Sequence, residues 1–437
     1  MTWPSIKLRE LCPKIGSGAT PHGGAAVYID AGTSLIRSQN VYNVKFEYEG
    51  LAHITADAAK RLDGVTVEPG DVLLNITGDS VARTCIVPDN VLPARVNQHV
   101  AIIRADPELL DYRYLNYYLA SPFMQAHMLG LAVGKGASRN AITKAMIEDF
   151  SIPLPPLPVQ RRNADILSAY DDLIENNRKQ IKLLEEAAQR LYKEWFIDLR
   201  FPGHEHTPIV NGLPDGWEEK TLGNLIDFEI GGGWGSDFPT NEEDVPGYVI
   251  RGTDINGITH GSISTIPFRY HAKSNIAPRI LKYGDIVFEV SGGSRNEGVG
   301  KAILIIKPLM SYFNSPVICA SFCKLMRVGN LELAHYLYES IKFWRSCGRI
   351  GEFEKKSASS IINYRWKDFL DQQSVCIPSD AVMARYNDLM IPIYVKIINH
   401  SLTIEKNALM RDRLLPKLMN GEMEPLVKIA DDISRIS

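Results

Sequence analysis

Cysteine is scarce in this chain, six residues in 437, and the closest two, Cys319 and Cys323, do not form a CxxC pair. That count and spacing argue against a disulfide framework and against a paired-thiolate metal or redox motif. Long apolar runs are missing too. No stretch nears the roughly 18 residues that cross a bilayer, and the opening MTWPSIKLRE lacks the apolar stretch of a signal peptide. The expectation is a reduced, cytoplasmic protein. Net charge is nearly absent: 48 Lys and Arg against 51 Asp and Glu leave −3. Nucleic-acid-binding chains normally carry a basic footprint, so any such footprint here has to be local.

Catalytic signatures are missing as well. Arg295–Ala302 ends like a phosphate-binding loop but lacks its first Gly and its final Ser or Thr. Gly130 and Gly134-Lys135 stand one residue too close for the same motif. Leu154-Pro155-Pro156-Leu157 has no leading Asn or Asp to hold an amine and no trailing aromatic to stack a flipped base. Gly16-x-Gly18, echoed at 231–233, predicts a turn rather than a cofactor loop. His204-Glu205-His206 lies in a Pro/Gly-rich stretch with no further ligand nearby, so no metal site is expected.

What the chain does contain is a second copy of itself. Trp3 and Leu8 are echoed by Trp217 and Leu222, and Ile15–Gly18 by Ile230–Gly233. VEPGDVLLNITGDS, with Gly70-Asp71, matches LKYGDIVFEVSGGS, with Gly284-Asp285. Asn97–Val100 is set against Asn314–Val317, Tyr114-Leu115 against Tyr336-Leu337, Lys135–Ser138 against Lys356–Ser359, and Ile152-Pro153 against Ile377-Pro378. Within each copy, short alternating apolar runs such as VAIIR and AILII are punctuated by Gly, Pro and Asn, then followed by helical stretches. The fold class read from this is α/β (mixed α+β), two tandem domains in a pseudo-two-fold repeat.

Each copy ends in a long helical pattern. Ile166, Tyr170, Leu173, Asn177, Ile181, Leu184, Ala188, Leu191 and Trp195 follow near-heptad steps. A shift of 223 gives Leu389, Ile393, Lys396, His400, Ile404, Asn407, Arg411, Leu414 and Leu418. Pro392 is expected to kink this second helix or to move its start. Asn177 and His400 fall at the same place and could fix register. The division is a first domain over 1–157, a central helix over 158–197, a linker over 198–216, a second domain over 217–380 and a C-terminal helix over 381–424.

A duplicated protein without a catalytic cluster points to binding. Residues 340–367 hold seven basic residues against two acidic, and 130–163 hold five against two. Lys and Arg hold phosphates, while Asn, Gln, Ser, Thr and Arg pair with base edges. In the first copy the candidates are Ser17, Thr20, Arg37, Asn40, Asn75, Thr77, Arg83, Gln98, Lys135, Ser138 and Arg139. In the second they are Trp234, Arg251, Ser291, Ser294, Arg295, Asn314, Lys355, Lys356 and Ser359.

The string SRNAITKAMIEDFSIPLPPLPVQRRNADIL (138–167) and the ending RDRLLPKLMNGEME (411–424) resemble those of specificity subunits of type I restriction-modification systems. The Gly-Asp segments and Asn97-Gln98-His99 also match that family. The second helix start, IPSDAVMARYNDL, departs from it by lacking the Pro-Pro and the Gln. The resemblance implies two target-recognition domains held apart by antiparallel helices as a coiled coil, each reading half of a bipartite site in double-stranded DNA. It implies two adenine methyltransferase subunits and two restriction (translocase/nuclease) subunits as partners. S-adenosylmethionine, ATP and magnesium would belong to those partners, and this chain would hold no cofactor and catalyse nothing. The alternatives are a stand-alone duplicated DNA-binding regulator and, further off, a sheet-based enzyme or a carbohydrate-binding duplication.

Overall fold

The two Gly-Asp segments fold into the same turn. Gly70 and Gly284 have φ of +82° and +90°, a conformation that favours glycine. The following aspartates, Asp71 and Asp285, are buried. Asp71 accepts hydrogen bonds from the Glu68 N–H at 2.7 Å and from Arg104 Nε and Nη2 at 2.7 and 2.9 Å. Asp285 repeats this with the Lys282 N–H at 2.6 Å and Arg327 Nε and Nη2, both at 2.7 Å. Each aspartate ties the start of one strand to the end of its neighbour.

The computed structural model describes residues 3–133, 141–292, 298–356 and 362–423. The chain divides into two compact units, one holding residues up to Asp172 and from Leu409 onward, the other residues 173–408. In the first unit, a four-stranded antiparallel sheet runs in the order Thr84–Ile86, Val72–Asn75, Val100–Arg104, Lys14–Ser17. A second sheet orders Tyr28–Ile29, Ala52–Ile54, Thr33–Ile36, Ala94–Val96 and Thr66–Val67, with one parallel pair, 33–36 beside 94–96. In the second unit the counterparts are Ala302–Leu304, Ile286–Glu289, Cys323–Arg327, Phe228–Gly231 and the three-stranded Phe268–His271, Val245–Ile250, Val317–Cys319. The mixed α/β class with long helices is as the sequence indicates.

The strand registers correct three of the sequence pairings. Val96 and Cys319 occupy equivalent places, since each pairs with the last residue of a parallel strand, Ile36 or Ile250. Asn97–Val100 therefore corresponds to Ala320–Cys323, not to Asn314–Val317. The glycine echo is shifted by one: Gly18 matches Gly232, and a Cβ on either would lie 2.1 Å from a carbonyl oxygen, Val96 O or Ala320 O. Close backbone approach, rather than a turn, requires glycine there. Ile152-Pro153 matches Val375-Cys376, because Ser5 pairs with Pro153 and Glu219 with Cys376.

The central helix spans Leu157–Tyr192, with Pro158 in its first turn, where a missing N–H costs nothing. Gln160 is buried; its amide donates to Leu109 O and Pro155 O at 3.1 and 2.9 Å, and its Oε1 accepts the Asp111 N–H at 2.9 Å. The second copy has Met383 at this place, and Asn387, one turn on, donates to Glu332 O at 3.2 Å. The C-terminal helix spans Asp380–Met419. It starts upstream of Pro392 and continues through it; Pro392 and Asp388, whose carbonyl loses its partner, are both exposed, on the side where water can replace the bond.

The buried seam differs by one position from the sequence reading in places. Leu173 and Leu389 are exposed, while Ile174, Tyr386 and Met390 are buried. Within the second unit the helices run antiparallel: Trp195 meets Tyr386 at 5.8 Å between rings, and His400 Nδ1–H donates to Asn177 Oδ1 at 2.5 Å. Within the first unit, Asn163 donates to Leu418 O at 3.1 Å and Arg411 to Asp171 at 2.6 Å, again antiparallel.

His335 is fully buried in the helix Leu331–Ser346 of the second unit. Its Nδ1–H donates to Leu331 O at 2.6 Å, and among the described residues its Nε2 has no hydrogen-bond partner. Burial pushes its pKa down, and His271 shifts the same way for the same reason. The unfolded chain therefore takes these protons first, near pH 6.5. Stability is full above that pH and falls as pH drops below it, by up to about 1.4 kcal/mol per pH unit per histidine. Urea midpoints followed by tryptophan fluorescence should fall between pH 7.5 and 5.5, and His335→Phe should flatten that slope.

Candidate functional site

Each unit has a cleft at the equivalent place on its fold. In the first, a cleft of about 570 Å³ is bounded by Ser38 and Gln39, by Thr77–Ser80, by Tyr42 and Arg83, and by His99. In the second, a cleft of about 530 Å³ is bounded by Arg251–Thr253, by Glu289, Ser291 and Gly292, by Ala320–Phe322, and by Trp234. The registers above make these the same three segments in each copy.

The walls are positioned by buried polar bonds. The loop that begins at Arg37 is closed by Asn40, whose Oδ1 accepts the Arg37 N–H at 3.0 Å and whose Nδ2 donates to Glu47 O at 2.9 Å. Its counterpart begins at Arg251, where Asp254 accepts the Arg251 N–H at 2.9 Å and pairs with the guanidinium at 2.9 and 2.6 Å. That carboxylate holds the Arg251 pKa above its ordinary value. Below the first loop, Asn75 donates to Ser38 O at 2.8 Å and Val41 O at 3.3 Å. In the second copy, Glu289 stands where Asn75 does and Gly252 where Ser38 does. A Cβ on Gly252 would lie 2.2 Å from Glu289 Oε1, so the longer floor residue goes with the loop residue that has no side chain.

At the rim of the first cleft, Gln98 Nε2 donates to His99 Nε2 at 3.1 Å, which leaves Nδ1–H to donate to Thr77 Oγ1 at 2.6 Å. The Arg83 guanidinium lies 4.5 Å from the Tyr42 ring centre. At the second rim, Arg269 lies 4.3 Å over Trp234 and pairs with Asp237. Ser291 donates to Asn363 at 3.0 Å.

Of the residues singled out by sequence, Thr77 and Arg83 line the first cleft, and Gln98 supports it through His99. Trp234, Arg251 and Ser291 line the second. Asn40 and Asn75 are interior residues whose amides serve backbone carbonyls. Arg37 donates to Gly50 O at 2.6 Å. Ser17, Thr20 and Lys355 are exposed, and Asn314 accepts from the Tyr248 hydroxyl at 3.2 Å, outside the cleft lining. Lys356 ends the strand Glu354–Lys356. Lys135, Ser138, Arg139, Ser294, Arg295 and Ser359 lie outside the described residues. Two neighbours of these stretches do reach the clefts: Ala141 bridges Thr77, and Asn363 pairs with Ser291.

The basic cluster at 340–367 is partly spent inside. Lys342 pairs with the buried Glu339 at 3.0 Å and Arg345 donates to Val299 O at 2.7 Å, while Arg365 pairs with Asp368 at 2.9 Å on the surface. Sequence reasoning missed Ser38, Gln39, Tyr42, His99, Glu289 and Phe322. His99 and Glu289 were visible as members of the two repeated strings.

A small α/β domain written twice, each copy with a cleft framed by the same loops, fits the comparisons with known proteins. Residues 1–186 match the model of the family described as "Type I restriction modification DNA specificity domain". Along nearly its whole length the chain is similar to the MjaIX type I restriction enzyme specificity subunit of Methanocaldococcus jannaschii, at 24% identity over 96% of this chain and 93% of that one. It is also similar to the MjaVIII specificity subunit of the same organism, at 26% identity over 55% of each. Among solved structures, the type I restriction-modification S subunit from M. genitalium shares the fold, with a TM-score of 0.59 at 15% identity, covering 98% of this chain and 97% of that one. The resemblance read from the helix-start strings is borne out. Among the described residues no helix is long and apolar enough to cross a membrane.

The floor substitution is testable. Gly252→Ser should destabilise the second unit by about 1–3 kcal/mol, the cost of overpacking against a buried side chain. Adding Glu289→Asn, which recreates the Ser38–Asn75 pair, should restore most of that loss. Urea titration of the two single variants and the double variant measures the coupling.

Proposed function

We propose that this chain is the DNA-sequence-specificity subunit of a type I restriction-modification complex. Each copy reads one half of a bipartite site in double-stranded DNA through its cleft and rim. The observation that carries this reading is the repeat-equivalent pair of clefts, lined by residues of different chemistry, on one duplicated fold. Two different linings on one frame suit two different half-sequences. The chain catalyses nothing itself. Two adenine methyltransferase subunits and two restriction subunits join it, and S-adenosylmethionine, ATP and magnesium act on those partners, in the cytoplasm. The long helices dock the methyltransferase: Leu173, Leu183 and Leu389 are large apolar side chains about half exposed on them and open to a partner.

Three outcomes test this. Replacing residues 1–157 with the equivalent domain of a relative should change one half of the methylated site and leave the other half intact, as read by mapping methylated adenines. The isolated chain, with its net charge of −3, should bind DNA weakly and gain specificity when the methyltransferase is added, because phosphate capture needs more positive charge than it carries. Equal affinity and specificity with and without partner would favour a stand-alone regulator instead. Leu183→Glu with Leu389→Glu should reduce co-purification of the methyltransferase at least tenfold without lowering thermal stability.

A further inference from the structure

The first cleft owes one wall to a bulge in the sheet beneath it. Asn75 stands opposite two residues: its N–H donates to Arg83 O at 2.8 Å, and the Ala82 N–H donates to Asn75 O at 2.8 Å. A bulge bonded in this way has its first residue in the left-handed region, where glycine is the usual occupant. Here that residue is Ala82, at φ +73° and fully buried, and its carbonyl accepts from Gln125 Nε2 at 2.8 Å. A non-glycine residue in that conformation is uncommon. Bulges re-aim side chains, and Arg83, the second residue of this one, lines the cleft. The second copy keeps the bulge with glycine, Gly300 at φ +87° opposite Glu289, and has the buried Lys301 in the place of Arg83.

Arg83 is half-buried, and its guanidinium lies 4.5 Å from the Tyr42 ring centre. A guanidinium stacked on a ring is ordered by it and keeps its N–H groups, which lie in its own plane, free to donate. Among the described residues none of them is taken: Arg83 has no ion pair and no side-chain hydrogen bond. Asp79, four residues earlier in the same loop, also lines the cleft, is exposed and is likewise unpaired. Two opposite charges therefore face one cleft without neutralising each other. A phosphate would gain from Arg83 but be repelled by Asp79. The major-groove edge of a G·C pair suits both, since guanine presents two acceptors, N7 and O6, beside the N4 amine of its cytosine. Adenine sets one acceptor beside a donor, and thymine sets one beside a methyl, so neither gives the guanidinium fork two sites. Both side chains reach solvent, so the edge of a paired base can meet them.

We propose that Arg83 and Asp79 read one G·C pair in the half-site recognised by the first copy. Arg83 donates to guanine N7 and O6, and Asp79 accepts from the N4 amine of the paired cytosine. This assignment rests on the specificity reading above and names the base pair that the same site selects.

The experiment uses the assembled complex with its methyltransferase subunits and the duplex site found by methylation mapping. The exchange of residues 1–157 identifies the half read by the first copy. Each guanine of that half is replaced in turn by 7-deazaguanine, which keeps its pairing and loses the N7 acceptor. One position should weaken binding about tenfold, the scale of a lost base contact. Arg83→Ala should weaken binding to the unmodified duplex by at least as much, accept every base pair at that position and show no further loss with 7-deazaguanine there. Discrimination in the other half should not change. Asp79→Ala should weaken binding to the cognate duplex relative to non-cognate ones. If no guanine of that half responds, or the response survives Arg83→Ala, this proposal falls and the specificity reading stands. A uniform loss on all duplexes, with a salt slope smaller by about one, assigns Arg83 to a phosphate and also overturns it, as does uniform tightening by Asp79→Ala. If the assembled complex shows no sequence-specific binding, it is the specificity reading that fails. Should Arg83→Ala not fold, the 7-deazaguanine scan of the wild type still decides, with Arg83→Lys, a point charge without the fork, as the milder probe.

Discussion

Each copy of the repeat depends on one carboxylate placed fully inside the protein. Removing Asp71 or Asp285 from water is costly, and only good geometry offsets that cost. Both aspartates have it: two guanidinium bonds and a backbone N–H, all between 2.6 and 2.9 Å. The consequence reaches the cleft directly. In the first copy the pair fixes the strand Val72–Asn75 beside Val100–Arg104. That registration brings the segment after the one strand against the segment before the other, so that Thr77 meets His99. In the second copy the same pairing sets Glu289 beside Cys323 and brings Ser291 and Phe322 to one cleft. The latch is identical in the two copies, and what it brings together is free to differ.

The latch was legible in the sequence because it is local: a glycine forced to positive φ, then an aspartate, in two strings of the same length. The duplication, the two long helices and the polar pair Asn177–His400 were legible for a similar reason, since period and offset carry through without knowledge of contacts. The cleft linings were not. They come from segments such as 38–42, 77–83 and 99 that only the sheets assemble, and no single string marks them. The pairing errors have a physical source too. Asp71 and Asp285 sit in step with Trp3 and Trp217, but the stretch from Asp285 to Arg327 is nine residues longer than that from Asp71 to Arg104. An alignment that seeks identities across that insertion pairs Asn97 with Asn314; the backbone pairs it with Ala320. Charge was misleading for another reason. Lys342 reads as a surface cation in the sequence, yet it neutralises a buried glutamate.

The helix starts show how much substitution this frame absorbs. Gln160 satisfies three interior backbone groups at once, which explains why a glutamine two residues after Pro158 marks the helix start. The second copy has given up that glutamine and the proline pair before it, and Asn387 serves a similar need one turn later. What is preserved is the satisfaction of buried polar groups, since each one left unmade costs about 1–3 kcal/mol. The residue that provides it is not preserved.

The same logic governs the cleft floor, and there it has a functional consequence. Ser38 above Asn75 and Gly252 above Glu289 divide comparable space in two ways. Moving volume from the loop to the floor keeps the interior filled, so it need not disturb the sheet below. It does change the chemistry of the cleft floor, from an amide to a carboxyl. A duplicated frame of this kind can therefore alter the lining of each cleft by compensated exchanges of one or two buried side chains. The strands, the latch and the helix seam that hold the clefts in place remain as they were.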